Sequence, residues 1–360
     1  MKRIILFLLL AILFSGNVFS QSQQGKSGDS KFTFKGNFFG DFFLKAGGDS
    51  TGGRLQYEPY VKDFNAFAFR RANIGFNYKF NKNFDSWFSL SYDGPDTLAD
   101  GNLGVYIRDA FVRWTDVLPK TTMLLGIMPV PAYAFTSEKW WGYRSVEKTI
   151  MDQRGIVSSR DMGFMVAGAF DKESDFGYYA MIGNGSGNKM EANKFKKVYL
   201  TLFGNFLEKN ILVSLYSDYL SSGGNKNTTT LNNFVGYKNK SMNIGVENFF
   251  QIKSNFNTSA GATSSDIVPY GLSIFINQNI IDEDLVMNYF LRYDYVNNDI
   301  NNKNTGFHQS FMTAGLDISP VENVHIMPNI WLNAFTPKPM QTTKYTTDVV
   351  PRITFWYDYK

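Results

Sequence analysis

Apolar and polar residues alternate along most of this chain. The last nine residues, RITFWYDYK, show the pattern in small. Ile353, Phe355, Tyr357 and Tyr359 fall on one side, and Arg352, Thr354 and Asp358 on the other. A period of two marks a strand with two unlike faces. Such segments recur over 32–45, 64–80, 84–94, 103–117, 121–128, 160–171, 175–183, 196–207, 211–221, 231–239, 241–253, 267–279, 285–296, 306–318, 322–335 and 348–359, about sixteen in all. Most are near the ten residues that a tilted strand needs to cross a bilayer. The second half is cleanest. Leu285, Met287, Tyr289, Leu291 and Tyr293 share a face opposite Asn288, Arg292 and Asp294, and Val324, Ile326, Ile330, Leu332 and Ala334 oppose His325, Asn329 and Asn333.

The connections sort by length. Short ones (81–83, 118–120, 172–175, 208–210, 238–240, 280–284, 320–322) alternate with longer polar ones (46–63, 95–102, 129–159, 184–195, 222–230, 254–266, 297–305, 336–347). Tight turns on one side and long loops on the other characterise outer-membrane barrels. A soluble β-sandwich, the competing architecture, has no reason to sort its loops this way. The expected fold is therefore all-β: a transmembrane antiparallel barrel with short periplasmic turns and long external loops. Its final strand closes on the first, because an open edge in lipid would leave backbone groups unpaired.

The chain start fits export. Lys2 and Arg3 precede an apolar run from Ile4 to Phe14 that is too short for a membrane span. The spacing predicts a signal over 1–20, a polar lead-in over 21–31 and a barrel over 32–360. There is no cysteine, which excludes disulfides and a bacterial lipid anchor. Aromatic residues make up 17% of the chain, with 34 Phe and 20 Tyr, which suits strands. The formal net charge of +4 gives no argument for nucleic acid. No cluster has transition-metal spacing, and no cofactor is expected. GNGSGN (183–188) lacks a following GK[ST] and meets neither nucleotide fingerprint. It reads as a flexible turn opening external loop four.

Several ordered stretches carry a resemblance. FAFRRANIGFNYKF (67–80), YIRDAFVRW (106–114), LLGIMPVP (124–131), SRDMGFMVAGAF (159–170) and TSEKWWGYRSVEKTIMDQRG (136–155) resemble the phosphate-selective porin O and P family, in the form common in Bacteroidota. The likeness spans the exported part of the chain. It implies a sixteen-stranded outer-membrane pore, a homotrimer, and a constriction built by loop three. A final aromatic residue, usual in exported barrels, is here followed by Lys360.

A barrel of this size is too wide to be filled by its own side chains. The longest linker, 129–159, is the expected constriction, folding inward from Pro129 and Pro131 and hanging Glu138, Lys139, Arg144, Glu147, Lys148 and Arg154 in the pore. Arg144 and Glu147 stand at helical spacing. Strand parity points Arg71, Arg292 and Arg352 inward, and places Arg160 at the mouth where the loop returns. In strand four, Arg108 and Asp109 fall on opposite faces, and the face of Asp109, Phe111 and Arg113 is taken as luminal.

The functional expectation is passive diffusion of ions and small hydrophilic solutes through outer-membrane lipid. Inorganic anions are candidate cargo, and phosphate selectivity needs several cations converging with hydrogen-bond donors. Two other classes compete. An adhesion or binding barrel would have a filled lumen, whereas small polar luminal residues such as Asn329, Asn333 and Thr354 suit water. A hydrolase would need a histidine base. His308 and His325 start strands at opposite ends of the barrel, on the order of 25 Å apart, and cannot share a site.

Overall fold

The computed structural model describes residues 31–51, 53, 55–94, 98–258, 265–281 and 286–359. The expected signal (1–20) and all but Lys31 of the lead-in lie outside them. Sixteen strands run in order: β1 Phe32–Leu44, β2 Asn65–Lys79, β3 Phe84–Asp93, β4 Tyr106–Leu118, β5 Thr121–Pro129, β6 Arg160–Ala169, β7 Phe176–Gly183, β8 Lys197–Phe206, β9 Ile211–Gly223, β10 Lys226–Lys238, β11 Met242–Ser254, β12 Tyr270–Ile281, β13 Val286–Asn297, β14 Phe307–Val321, β15 Val324–Pro337 and β16 Asp348–Tyr359. Each pairs antiparallel with its chain neighbours, and β1 pairs with β16 from Gly36↔Tyr359 to Phe43↔Arg352, closing the barrel. The terminal strand thus satisfies the backbone groups of the first.

The alternation sorts as expected. Ile353 is 49% exposed and Leu215 57%, on the outer face, while Arg352, Thr354, Arg292 and Asp294 are buried inside. An outer surface of Leu, Ile, Phe and Val is stable only against lipid tails or another apolar surface.

One linker differs from its sequence reading. The polar stretch 222–230 is a hairpin, not a long loop. β9 and β10 continue to a two-residue turn at Gly224 and Asn225, with φ of 56° and 66°. Positive φ at both central positions matches the twist of the flanking strands. Thr228 and Thr230 pair with Leu220 and Asp218, so their polarity belongs to strand extensions.

The interior departs from a simple wet lumen. Met128, Met165, Met181, Phe249, Phe290, Phe311 and Trp331 point inward and are almost fully buried. They are covered by two long loops, at the end that the sequence reading takes as external, which fold into the barrel. Loop one (45–64) brings Leu55 and Tyr57 against Phe43, Phe311, Trp331 and Val350. Loop three (130–159) carries two short helices, α1 Ser137–Trp141 and α2 Ile150–Gln153. Its Tyr133, Ile150, Met151 and Val157 join the methionines of β5–β7, and its Trp140, Trp141, Tyr143 and Val146 pack on Phe234, Phe275 and Phe290. Fully burying such a side chain contributes about 1.5–3 kcal/mol, so this packing fixes the loop strongly. Glycines provide the slots. A Cβ on Gly245 would lie 2.2 Å from the Phe275 ring, and one on Gly271 2.3 Å from Phe249.

Candidate functional site

Loop three crosses the lumen and is bolted to the wall. Ser137 Oγ donates to Glu247 on β11 (2.9 Å), and Asn277 Nδ2 on β12 donates to the Trp141 carbonyl (3.2 Å). Tyr143 OH donates to Asp317 on β14 (3.2 Å), and Trp331 Nε1 on β15 donates to Glu147 Oε2 (3.0 Å). Three wall arginines clamp backbone carbonyls at 2.5–2.6 Å: Arg292 holds Lys148, Arg352 holds Val146 and Arg70 holds Ser145. Within the loop, Arg144 pairs with Glu138 (2.5 Å) and Asp152 (2.6 Å). Arg144 and Glu147, at helical spacing in the sequence, do not share a helix, because residues 144–146 form a turn that sends the two side chains to different partners.

Electrostatics favours this arrangement. Burial pushes the Glu147 carboxyl up, but the Arg70 and Arg352 guanidiniums and the Trp331 bond outweigh it and hold it below the usual carboxylate value. Asp152 behaves alike: burial raises it, and Arg144 and Lys148 bring it below normal.

The loop leaves an opening along β1–β4 and β6. A cavity of about 610 Å³ there is lined by Lys35, Arg71, Lys79, Arg108, Arg113, Arg144 and Arg160, with only Asp109 and Glu138 as acids. Two β-bulges concentrate these cations. The β1–β2 register jumps from Phe39↔Arg71 to Gly40↔Phe69, and the β3–β4 register from Ser89↔Asp109 to Leu90↔Ile107. Each bulge inserts one extra residue, Arg70 and Arg108 respectively, so two consecutive side chains turn inward. This corrects the parity reading, which put Arg108 and Asp109 on opposite faces and passed over Arg70. Both Arg70 and Arg71 lie over the Phe39 ring, at 5.5 and 5.4 Å.

The cations differ in how far they are neutralised. Arg71 forms a two-pronged pair with Asp93 (2.7 Å each), and Arg113 one with Asp85 (3.0 Å each). Arg160 donates to Asp109 (2.6 Å), whose other oxygen accepts from Ser89 (2.8 Å). Arg108 sits 3.8 Å from that already engaged carboxylate and is the least compensated of the cavity's arginines.

Above this cavity lies one of about 100 Å³, which shares Arg71 and Arg144 with it and adds Arg70, Glu147, Lys148 and Gln153. A third, of about 480 Å³ at the external side, shares Leu55 and Gln153 with the second and adds Arg154. Of the residues expected to line the pore, Arg71, Asp109, Arg113, Glu138, Arg144 and Arg160 line the widest space, Glu147 and Lys148 the narrowest, and Arg154 the external one. Lys139 instead lies over the Phe135 ring (5.6 Å). Arg292 and Arg352 point inward but line none of these three cavities, because they are spent on loop three. The glycine turn at 183–188 is tied down rather than loose: Gly185 N donates to Asp161 (2.7 Å), and Asn188 Nδ2 to the carbonyls of Ile107 and Arg108 (2.9 and 2.7 Å).

The histidines stand apart. His308 Nδ1 meets Tyr295 OH (2.7 Å) at the external end of β14. His325 faces both Asp317 (2.8 Å) and Ser319 (2.9 Å) through the same Nδ1 and stacks on Trp356. A serine–histidine–carboxylate relay needs both ring nitrogens, so the trio is not arranged as one.

No family model and no curated protein matches the chain. Solved structures do. The outer membrane channel DcaP of Acinetobacter baumannii aligns with a TM-score of 0.61 at 11% identity, covering 94% of this chain and 100% of that one. An anion-selective porin from Comamonas acidovorans gives 0.60 at 10%, covering 91% and 99%. OmpT of Vibrio cholerae, in a trimer form, gives 0.56 at 12%, covering 91% and 99%. These likenesses establish the fold, a closed sixteen-stranded barrel like those of the channels just named, and nothing finer.

Proposed function

We propose that this protein is an outer-membrane channel of a Gram-negative cell, passing small hydrophilic solutes with a preference for anions. The observation that carries the reading is a file of three cavities whose linings share residues, the widest lined by seven cations and two carboxylates, with Asp85, Asp93 and Asp152 pairing three of the cations from outside it. Fixed positive charge in a low-dielectric frame raises the local concentration of anions and depresses that of cations. The apolar outer belt supports a place in lipid, and a homotrimer accords with the trimer form of the OmpT neighbour.

The family resemblance suggests phosphate. The narrow cavity has four cations, but Arg71 is committed to Asp93, Arg144 to Glu138 and Asp152, and Arg70 to Asp41 (3.2 Å) and loop carbonyls. Chloride and phosphate are therefore expected to compete only weakly. Planar-bilayer recording of the refolded protein tests the reading: a reversal potential of anion sign in a KCl gradient is expected, and one of cation sign refutes the preference.

A binding barrel is the second reading, favoured by the apolar packing of loops one and three inside the lumen. Liposome swelling with sugars of graded size separates the two, since a binding barrel gives no swelling.

A further inference from the structure

The external cavity has features that a plain vestibule does not need. Gln153 is only 9% exposed and stands between this cavity and the narrow one, yet both ends of its amide lack a hydrogen-bond partner among the described residues. Next to it, Arg154 donates through Nη1 to Gln309 Oε1 on β14, which fixes the plane of the guanidinium. Its Nε and Nη2, the two groups of the side-on edge, are buried without a partner. An unsatisfied buried donor costs about 1–3 kcal/mol, more when charged, so a guanidinium edge and an amide left open together call for an acceptor. The nearby carboxylates are occupied. Glu58 accepts from Leu55 N (3.1 Å) and Asn333 (2.8 Å), and Asp294 binds Arg292. Across the cavity stands an aromatic wall: Tyr345 packs 4.9 Å from Phe307 and 5.3 Å from Phe335.

The geometry points to a binding site in the external mouth for a small monocarboxylate bearing a ring, its carboxylate on the side-on edge of Arg154 with Gln153 beside it and its ring against Phe307, Phe335 and Tyr345. The inference rests on the channel reading for its role: such a site would load solute at the mouth of the pore. A side-on guanidinium edge offers two parallel N–H groups at the spacing of carboxylate oxygens. Glu58 in the same cavity opposes a dianion, which favours a carboxylate over phosphate. A volume of about 480 Å³ lies within the usual size of small-molecule sites.

The test is calorimetric titration of the refolded full chain in detergent with sodium benzoate, sodium acetate and benzamide, next to single-channel recording in KCl. Benzoate is expected to bind at least tenfold tighter than acetate, which lacks the ring, and than benzamide, which lacks the charge. Arg154→Met is expected to weaken benzoate at least tenfold. Tyr345→Ala, outside loop three, is expected to weaken it severalfold, which keeps the test decisive where Arg154→Met disturbs folding. Equal affinity for benzoate and acetate, or wild-type benzoate affinity in the folded variants, overturns the inference. Benzoate binding without KCl conductance would instead overturn the channel reading and leave the site standing.

Discussion

Arg108 is the cation whose removal should alter ion preference most directly. It exists on the lumen wall because a bulge supplies it, and its nearest carboxylate, Asp109, is already engaged by Arg160 and Ser89. A monovalent ion passing roughly 6 Å from its guanidinium in a water-like dielectric feels about 0.7 kcal/mol, attractive for an anion and repulsive for a cation. The difference between the two signs is then ~1.4 kcal/mol, about tenfold in relative permeability. At 0.1 M salt, where the Debye length is about 10 Å, screening takes that to about fourfold. Arg108→Ala is therefore expected to lower the anion-to-cation permeability ratio by between about fourfold and tenfold. The larger effect belongs to low salt. Arg108→Glu doubles the charge change and should act as the square of that factor. The assay is the reversal potential in a KCl gradient at two ionic strengths, on protein whose unheated gel mobility shows a folded barrel. A ratio that stays at the wild-type value, or a shift independent of salt, would refute the assignment of the cation-rich cavity to the ion path.

Other consequences concern the loop and its anchorage. Deleting 136–150 removes the bolt from Ser137 to Glu247 and the indole packing, and single-channel conductance should rise; an unchanged value would mean that the loop does not constrict the pore. Arg352→Ala breaks buried bonds to Asn329, Tyr57 and Val146 and leaves Asp41 less compensated, at a cost of about 3–5 kcal/mol. It should lower the temperature of the heat-modifiable gel shift and make the current noisier. Gly245→Ala drives a methyl group into the Phe275 ring and should destabilise the barrel by about 1–3 kcal/mol, read in the same gel shift. The folded-state value of Glu147 lies below its ordinary 4.5, so its stabilising contribution is complete above that pH and is lost as pH falls through the lowered value. The stability difference between wild type and Glu147→Gln should hold constant from pH 7 to about pH 4.5 and shrink only in stronger acid; a difference that shrinks near neutrality would deny Glu147 the role of anchor.

Strand number, closure and lipid-facing sides were legible because they follow from a strict two-residue period that lipid enforces on one face. Ile353, Phe355 and Tyr359 have no other stable place than the outside. The luminal side was legible only in part. A large apolar residue such as Trp331 or Phe290 breaks the expectation of a polar wall, and its reason lies in loop residues far away in sequence, Tyr57 for one and Trp141 and Tyr143 for the other. Period-two reading carries no information about which loop returns to cover a strand. The turn at 223–225 was misread for a related reason. Polar threonines read as loop, although a strand that rises above the membrane belt has no need to be apolar.

The two places where parity failed on β2 and β4 are also the places with the densest charge. A regular strand offers the lumen one side chain in every two, so neighbouring luminal charges on it are spaced about 6–7 Å apart. A bulge gives two consecutive side chains to the same face. At Arg70–Arg71 one guanidinium can hold loop three while the next, paired with Asp93, lines the passage, and at Arg108–Asp109 a carboxylate can bind Arg160 while its neighbour, 3.8 Å away, is only partly compensated. Anchoring and charge display are competing demands on a single arginine, since a guanidinium neutralised by a partner contributes little field. On β4 the register shift separates these demands onto adjacent residues. Removing the extra residue, as in a deletion of Arg108 that restores regular pairing with β3, should preserve the barrel and abolish the surplus charge, reproducing the selectivity of Arg108→Ala. If the deletion variant kept wild-type selectivity, the bulge would be a device of strand geometry alone.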